Sequence, residues 1–294
     1  MDHALSYINK NGASKSLLWD VKDRVIEFSG RMQIMGIVNV TPDSFYDGGK
    51  YFKVSDAIRQ ALTLVEQGAD MIDIGGQSSR PYSEEIPIAL ERERVIPVIQ
   101  ALSREVDVPI SVDTYRFEVA RDAVDAGAHM INDISALRID SRLAMLAKDS
   151  GAGLILMHMR GLPRNMQEDT EYVDLMAEIS GHLRSQMNVA LEAGVREEQI
   201  IVDPGIGFGK NTEQNLRIMA QAGFFKKLMR PIVLGPSRKS FIGDVIQKGP
   251  EQRLSGTLAC IARAYYDRVP LVRVHDVEAV ADFLKLLNAI EQER

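Results

Sequence analysis

Residues 35–49 read MGIVNVTPDSFYDGG, and the break in the middle of that stretch sets the fold class. The apolar run Ile34–Val38, of the kind that makes a buried strand, stops at Asn39. The chain then turns at once through Thr41, Pro42, Asp43, Ser44 and Asp47 to a Gly48-Gly49 pair. A strand that ends in one polar side chain and a loop rich in Pro, Gly and Asp is how α/β proteins present chemistry at the carboxyl edge of a sheet.

Working outward, the same arrangement recurs. Strand candidates are Ile34–Val38, Met71–Ile74, Ile110–Val112, His129–Ile131, Gly153–Met157, Ile200–Val202, Ile232–Leu234 and Leu271–Val274. They are rich in Ile and Val and lack a strict period of two, as strands covered on both faces do. Helical patterns lie between them: Asp56–Gly68, Pro87–Val106, Phe117–Gly127, Ser141–Ser150, Tyr172–Gly194, Asn211–Gly223, Gln252–Tyr266 and Val277–Gln292. A helix closed by Gly-Ala before a strand occurs at Gly68, Gly127 and Gly151. Alternating strand–helix units in one direction point to a (β/α)8 TIM barrel over residues 31–294. Residues 1–30 form an N-terminal extension in which Leu17–Phe28 suits a hairpin closing the barrel bottom and residues 1–16 read as loose. A doubly wound open sheet is the rival, weakened because no Gly-x-Gly-x-x-Gly follows the first strand.

Composition narrows the function. Of 294 residues, 45% are hydrophobic, ample for one large core, and the net charge of −6 disfavours a general nucleic-acid binder. The single cysteine, Cys260, excludes an internal disulfide framework and lies in an apolar helical run. No apolar run approaches the ~20 residues of a membrane span, and the first thirty residues lack a signal core, so a cytoplasmic protein without membrane contact is expected.

Reading the residue after each apolar run gives a ring of polar groups: Asn39; Gly75–Pro81; Asp113; Asn132 and Asp133; His158; Asp203 followed by Pro204–Lys210; Gly235 and Ser237–Ser240; Arg273, His275 and Asp276. Taken singly each has a structural reading: Asp113 as a helix cap, Asn132 and Asp133 as turn residues, His158 as a satisfied core histidine. Together they exceed what a structural barrel needs. Asp113, Asn132 and Asp203 offer acceptors suited to a flat heterocycle with N–H and NH2 edges. Arg80, Arg238, Lys239, Arg273 and His275 are cationic or potentially so, and the loops after strands 7 and 8 are the usual phosphate site of this fold, helped by a short helix beginning near Ser240. The implied ligand has a hydrogen-bonding ring at one end and a phosphate or diphosphate at the other. Neutral Asn39 suits a Mg2+ held mainly by such phosphates. The five His show no zinc spacing.

The segments VNVTPDSFYDGG, DIGGQSSRP, SVDTYR, INDISAL, HMRGLPRNMQ, DPGIGFGK, GPSRKSFIG and VRVHDV, in this order, resemble the dihydropteroate synthase family over roughly Gln33 to Val277. The resemblance implies a homodimeric (β/α)8 barrel that condenses 6-hydroxymethyl-7,8-dihydropterin diphosphate with p-aminobenzoate and releases diphosphate, with Mg2+. It implies pterin contacts from Asp113, Asn132, Asp203, Lys239 and Arg273, the last stacking on the ring. It implies diphosphate and Mg2+ contacts from Asn39, Arg80, Arg273 and His275, with Asn39 the metal contact. It implies p-aminobenzoate contacts from Ser79, Pro81, Phe208 and Ser240, and chemistry resting on Asp113, Lys239 and Arg273. Sulfonamides are expected to compete with p-aminobenzoate. The segments Thr41–Tyr51 and Gly75–Ser83 are expected to close over the site.

This sequence departs from the family pattern at Gln77, Ser79 and Tyr82, where Glu, Thr and Gly are usual, and at Tyr46 and Pro236. These changes bear on the amine substrate more than on the pterin. Two other readings stay open: a pterin-dependent methyltransferase domain, which lacks the Ser237–Ser240 segment and the Thr41–Phe45 loop, and a pterin-binding paralogue without turnover.

Overall fold

The computed structural model describes residues 6–8, 14–28, 30–41 and 54–293. Most of the expected lid on the first strand, Tyr46 included, lies outside the described residues.

Eight parallel strands make the barrel: β5 (Gln33–Asn39), β6 (Met71–Gly75), β7 (Ile110–Asp113), β8 (Met130–Asp133), β9 (Gly153–Met157), β10 (Ile200–Asp203), β11 (Val233–Leu234) and β12 (Leu271–Val274). Each pairs with its sequence neighbour, β12 returns to pair with β5, and a parallel bridge between Val202 and Ile232 joins β10 to β11. A closed ring of consecutive strands is a TIM barrel and rules out the open doubly wound sheet.

The outer layer is α1 (Val54–Glu66), α2 (Ile88–Leu102), α3 (Phe117–Asp125), α4 (Arg142–Ser150), α5 (Leu175–Glu192), α6 (Thr212–Ala220), α8 (Leu254–Tyr266) and α9 (Val277–Gln292), with α7 (Ser240–Ile246) as the short extra helix after β11. The three glycines read as helix stops have left-handed φ of +100° at Gly68, +117° at Gly127 and +74° at Gly151. Leu64, Val98, Val119, Leu143, Ile179 and Ile218 turn inward onto the strands and are buried.

Ahead of the barrel, β3 (Leu18–Val21) and β4 (Arg24–Glu27) form the expected antiparallel hairpin. Residues 1–16 are not wholly loose: β1 (Ser6–Ile8) pairs antiparallel with β2 (Ser14–Ser16). A ladder made by backbone groups from polar, serine-rich strands leaves no hydrophobic period to read.

The barrel interior is layered. At the amino-terminal end, Met35, Met71, Met130, Ile155, Ile201, Val233 and Leu271 cluster with Leu17, Trp19, Val21 and Phe28 of the hairpin segment. The Trp19 indole N–H donates to the Gln199 carbonyl (2.9 Å), so the one polar atom brought in by that ring is satisfied. Two residues further along each strand the pleat returns side chains to the same face. Those positions are Ile37, Asp73, Asn132, Met157, Asp203, Gly235 and Arg273. An apolar floor thus carries a polar tier facing the carboxyl rim.

Candidate active site

Arg273 organises the tier. From β12 its guanidinium reaches past β5, its Nε donating to Asp73 Oδ2 on β6 (2.6 Å) and its Nη2 to Asp113 Oδ2 on β7 (2.8 Å). Asn132 Nδ2 donates to the same Asp73 oxygen (3.0 Å). Asp73 is fully buried, and its other oxygen, Oδ1, has no partner. A buried carboxylate persists only when paired, and Arg273 is that partner.

Burial also shapes the charges. It pushes the Asp113 carboxyl up to about 7, helped by Asp73 and Glu91 and opposed by Arg273 and Lys239. Asp203 is pushed up to about 6 by burial, against a backbone bond from Gly205 and the nearby Lys239. Lys239 is pushed down to about 8 by burial and by Arg273, while Asp203 and Asp113 oppose the shift. Burial works against the Arg273 charge too, but Asp73 and Asp113 outweigh it. Asp113, Asp203 and Lys239 thus sit close to their switching points near neutral pH, the condition that perturbed functional carboxylates and lysines share.

Asp203 Oδ1 accepts from the Gly205 N–H (2.7 Å). The Lys239 ammonium stands 4.1 Å from the centre of the buried Phe208 ring, a cation–π contact that joins the loop after β10 to the loop after β11. Gly207, at φ +83°, makes room for it, since a Cβ there would meet Lys239 Cδ at 2.9 Å.

At the rim, the Ser237 hydroxyl accepts from the His275 N–H (3.1 Å) and lies 3.0 Å from His275 Nδ1. Its own proton can be donated to Nδ1, an arrangement that leaves the His275 ring proton on Nε2. Burial, with Arg273 and Arg238, pushes His275 down to about 3, so the ring is a neutral donor. Lys239 occupies the N-cap of α7 and Ser240 its first turn, exposed. Asn39 ends β5 at the rim, half-buried and in register with Gly75.

The loop after β6 carries Ser79, half-buried, with Arg80 and Pro81 exposed. Arg80 makes no ion pair with the described residues. The loop is held at its ends. Arg94 donates to the Gly76 carbonyl (2.8 Å) and Arg116 to the Ile86 carbonyl (2.6 Å), while Gln77 Nε2 donates to the Tyr115 hydroxyl (2.7 Å). Tyr82 adopts the left-handed φ of +64° that a glycine takes freely, and its N–H reaches across to the Pro163 carbonyl (3.0 Å).

The structure decides between the readings that several of these residues left open. Asp113 does not cap α3; Thr114 Oγ1 accepts from the Arg116 N–H there (3.2 Å), which frees Asp113 for Arg273. Asp133 is a turn residue, accepting from Ser135 and Leu137, whereas Asn132 belongs to the tier. Arg238 is committed to Asp276 (3.0 Å) and Glu251 (2.9 Å), and so braces the rim instead of waiting for an anion. His158 is a satisfied internal histidine, paired with Lys210. Sequence reading passed over Asp73, Glu91 and Asn215, and named Lys210 only as the end of the loop after β10, with no role of its own. Asp73 had left a signal: a lone carboxylate inside the apolar strand MIDIG, where Asp is disfavoured unless paired.

Residues 35–275 match the family described as pterin binding enzyme. A dihydropteroate synthase of Synechocystis is 47% identical over 271 residues, covering 92% of this chain and 94% of the relative. The chain belongs to the dihydropteroate synthase family. Among solved structures, Xanthomonas albilineans dihydropteroate synthase with 4-aminobenzoic acid is 40% identical with a TM-score of 0.88, covering 94% of this chain and 99% of that one. The same enzyme in complex with 7,8-dihydropteroate is 39% identical with a TM-score of 0.84, covering 93% and 98%. Among the described residues, no helix is long and apolar enough to cross a membrane.

Proposed function

We infer that the chain is an active dihydropteroate synthase, joining 6-hydroxymethyl-7,8-dihydropterin diphosphate to p-aminobenzoate. The observation that carries this reading is the Asp73–Arg273–Asp113 chain, with Asn132 and Asp203 beside it and Lys239 above Phe208. It supplies acceptors for the N–H and NH2 edges of a pterin, donors for its carbonyl and ring nitrogens, and an aromatic wall next to them.

In the reaction the C–O bond at the pterin methylene breaks and its electron pair leaves with diphosphate. The aromatic amine nitrogen bonds to that carbon and loses a proton. Asp113 and Asp203, when ionised, favour the positive charge that develops on the ring, and Lys239 orients it. Arg273 closes the pterin end and, with His275, Arg80 and Asn39, faces the departing diphosphate. Ser79, Pro81, Phe208 and Ser240 line the amine side. A reaction of this kind needs no covalent enzyme intermediate.

Mg2+ fits this donor set as an ion carried in on the diphosphate. Among the described residues no three His, Cys, Asp or Glu side chains form a metal cluster, and the neutral Asn39 at the rim suits a cation held mostly by phosphate oxygens and water. Bound there, the cation would neutralise charge on the leaving group. The exposed apolar residues Tyr266, Leu286 and Ile290 on α8 and α9 support a homodimer through the last helices, and the lone cysteine supports a cytoplasmic setting.

The test is diphosphate release from the pterin diphosphate with Mg2+, with and without p-aminobenzoate. Release that requires the amine is expected, with competition by a sulfonamide. Pterin binding without release would make the chain a non-catalytic paralogue and overturn the reading.

A further inference from the structure

The segment Pro204–Gly209 carries contacts to both subsites, and it is wound around a buried cation. Gly205 has φ +73° and Gly209 +62°, and a Cβ at Gly205 would lie 1.9 Å from the His158 carbonyl oxygen. The loop therefore lies hard against the end of β9. Lys210 folds back beneath it and is only 2% exposed. Its ammonium donates to the Gly205 carbonyl (2.9 Å), the Phe208 carbonyl (2.8 Å) and His158 Nδ1 (3.0 Å). Burial pushes the Lys210 ammonium down to about 7, and what keeps the charge is that its three protons meet these acceptors, with the His158 carbonyl further off (3.5 Å). His158 must be neutral with its proton on Nε2 to accept, and burial and Lys210 both push its pKa down. Beside it Asn215, 1% exposed, takes a further loop amide: its Oδ1 accepts from the Gly207 N–H (2.7 Å), and its Nδ2 donates to the Lys210 carbonyl (3.2 Å).

We propose that Lys210 and Asn215 form an internal clamp that positions Asp203 for the pterin and Phe208 for the aromatic amine, without touching either substrate. The geometry ties the two subsites to one strut. The Gly205 N–H holds Asp203 Oδ1, so the place of Gly205 decides where Asp203 Oδ2 points. The Phe208 carbonyl is fixed by the same ammonium, so the ring beneath Lys239 is set by it as well. Gly207, fixed by Asn215, lies under the Lys239 stem. Removing the charge leaves the Gly205 and Phe208 carbonyls to find other donors, and both subsites shift together.

The inference rests on the synthase reading, so wild-type turnover is the control: an inactive wild type refutes that reading and not the clamp. In an active wild type, Lys210→Met is expected to raise both the KM for p-aminobenzoate and the Kd for 6-hydroxymethylpterin, measured calorimetrically without reaction, by about tenfold or more. The kcat per folded molecule should fall as well, since Asp203 also favours the charge that develops on the ring. Lys210→Arg, which keeps the charge, should recover part of both constants. A merely structural lysine would lower the melting temperature and the active fraction while leaving both constants alone. Unchanged constants in folded Lys210→Met overturn the clamp. If that variant does not fold, Lys210→Arg and Asn215→Ala carry the test, and wild-type values of both constants in the two of them overturn it equally.

Discussion

At the floor of the barrel, Met35, Met71, Met130 and their neighbours meet Trp19 through apolar surface alone; two residues along the same strands, Asp73, Asn132 and Arg273 form a chain in which each polar group depends on the next. The floor is tolerant because dispersion and burial are spread over many atoms, so one lost methylene costs only its share. The tier is brittle because a buried charge is stabilised by one or two partners and is costly without them. The strands are shared; what differs is how many neighbours each interior residue needs.

The sharpest way to break this comparison is Asp73→Ala. It leaves Arg273 with Asp113 alone and Asn132 Nδ2 without its acceptor. Stability should fall by about 3–5 kcal/mol, as when one member of a buried ion pair is removed. Turnover should fall at least ~100-fold, since the groups facing the pterin lose their geometry. Denaturant unfolding and kcat/KM on the same preparation measure both. A kcat/KM within a fewfold of wild type would show that the tier is structural only.

The pH profile comes next. Asp203 titrates at about 6 and Asp113 at about 7, both raised by burial, and each must lose its proton to accept from a ring N–H. Lys239 titrates at about 8, lowered by burial, and must keep its proton to donate. Activity should therefore rise with pH up to about 7 and fall above about 8. In kcat/KM for the pterin substrate, which reports the free enzyme, the acid limb should change by about tenfold per pH unit between about 6 and 7 and more steeply below, where both carboxylates bind protons, and the alkaline limb by about tenfold per unit. A flat profile from pH 5.5 to 9 would remove these groups from the binding step. Floor variants should leave both limbs where they are.

Met130→Ala is the matching change at the floor. Met130 is fully buried in the apolar cluster. The loss should be about 2–4 kcal/mol of stability, set by how far the cavity collapses. Both KM values should stay within twofold, because Asn132, two residues on, is held by Asp73 and not by the floor. A shifted KM would mean that floor and tier are coupled through β8.

The two ends were also unequally legible in the sequence. The floor and the strands could be read because apolar runs of three to five residues are a local signal, and every barrel strand sits within a residue or two of its run. The rim could be read as an inventory, since its polar residues follow the runs, apart from Arg273 inside the last one. Its wiring could not. Arg238 and Arg273 look alike in sequence, yet one braces Asp276 and the other joins Asp73 to Asp113, and only the closed barrel decides which carboxylates lie within reach. Asp73 was missed because an inventory taken after each run skips a carboxylate inside one. Lys210 stood in the inventory without a role, because its partners are mostly carbonyls, which every residue carries.

The smallest expected effect compares strained backbone at the two ends. Tyr82 at the rim and Lys22 at the floor both sit at left-handed φ, +64° and +62°. Such a residue costs about 1–3 kcal/mol over glycine in the folded state, and glycine gives back about 0.4–1 kcal/mol through the unfolded chain. Tyr82 is 69% exposed, so Tyr82→Gly should keep most of the difference, a gain of about 1 kcal/mol. Lys22 differs because its Nζ donates to the Val124 carbonyl (3.1 Å), a bond of about 1 kcal/mol that Lys22→Gly loses. Thermal unfolding should therefore show a small rise for Tyr82→Gly and almost none for Lys22→Gly. Equal shifts would mean that the Lys22 tether contributes nothing. A fall for Tyr82→Gly would mean that the ring, although exposed, packs on the rim, and the KM for p-aminobenzoate would then be the next quantity to follow.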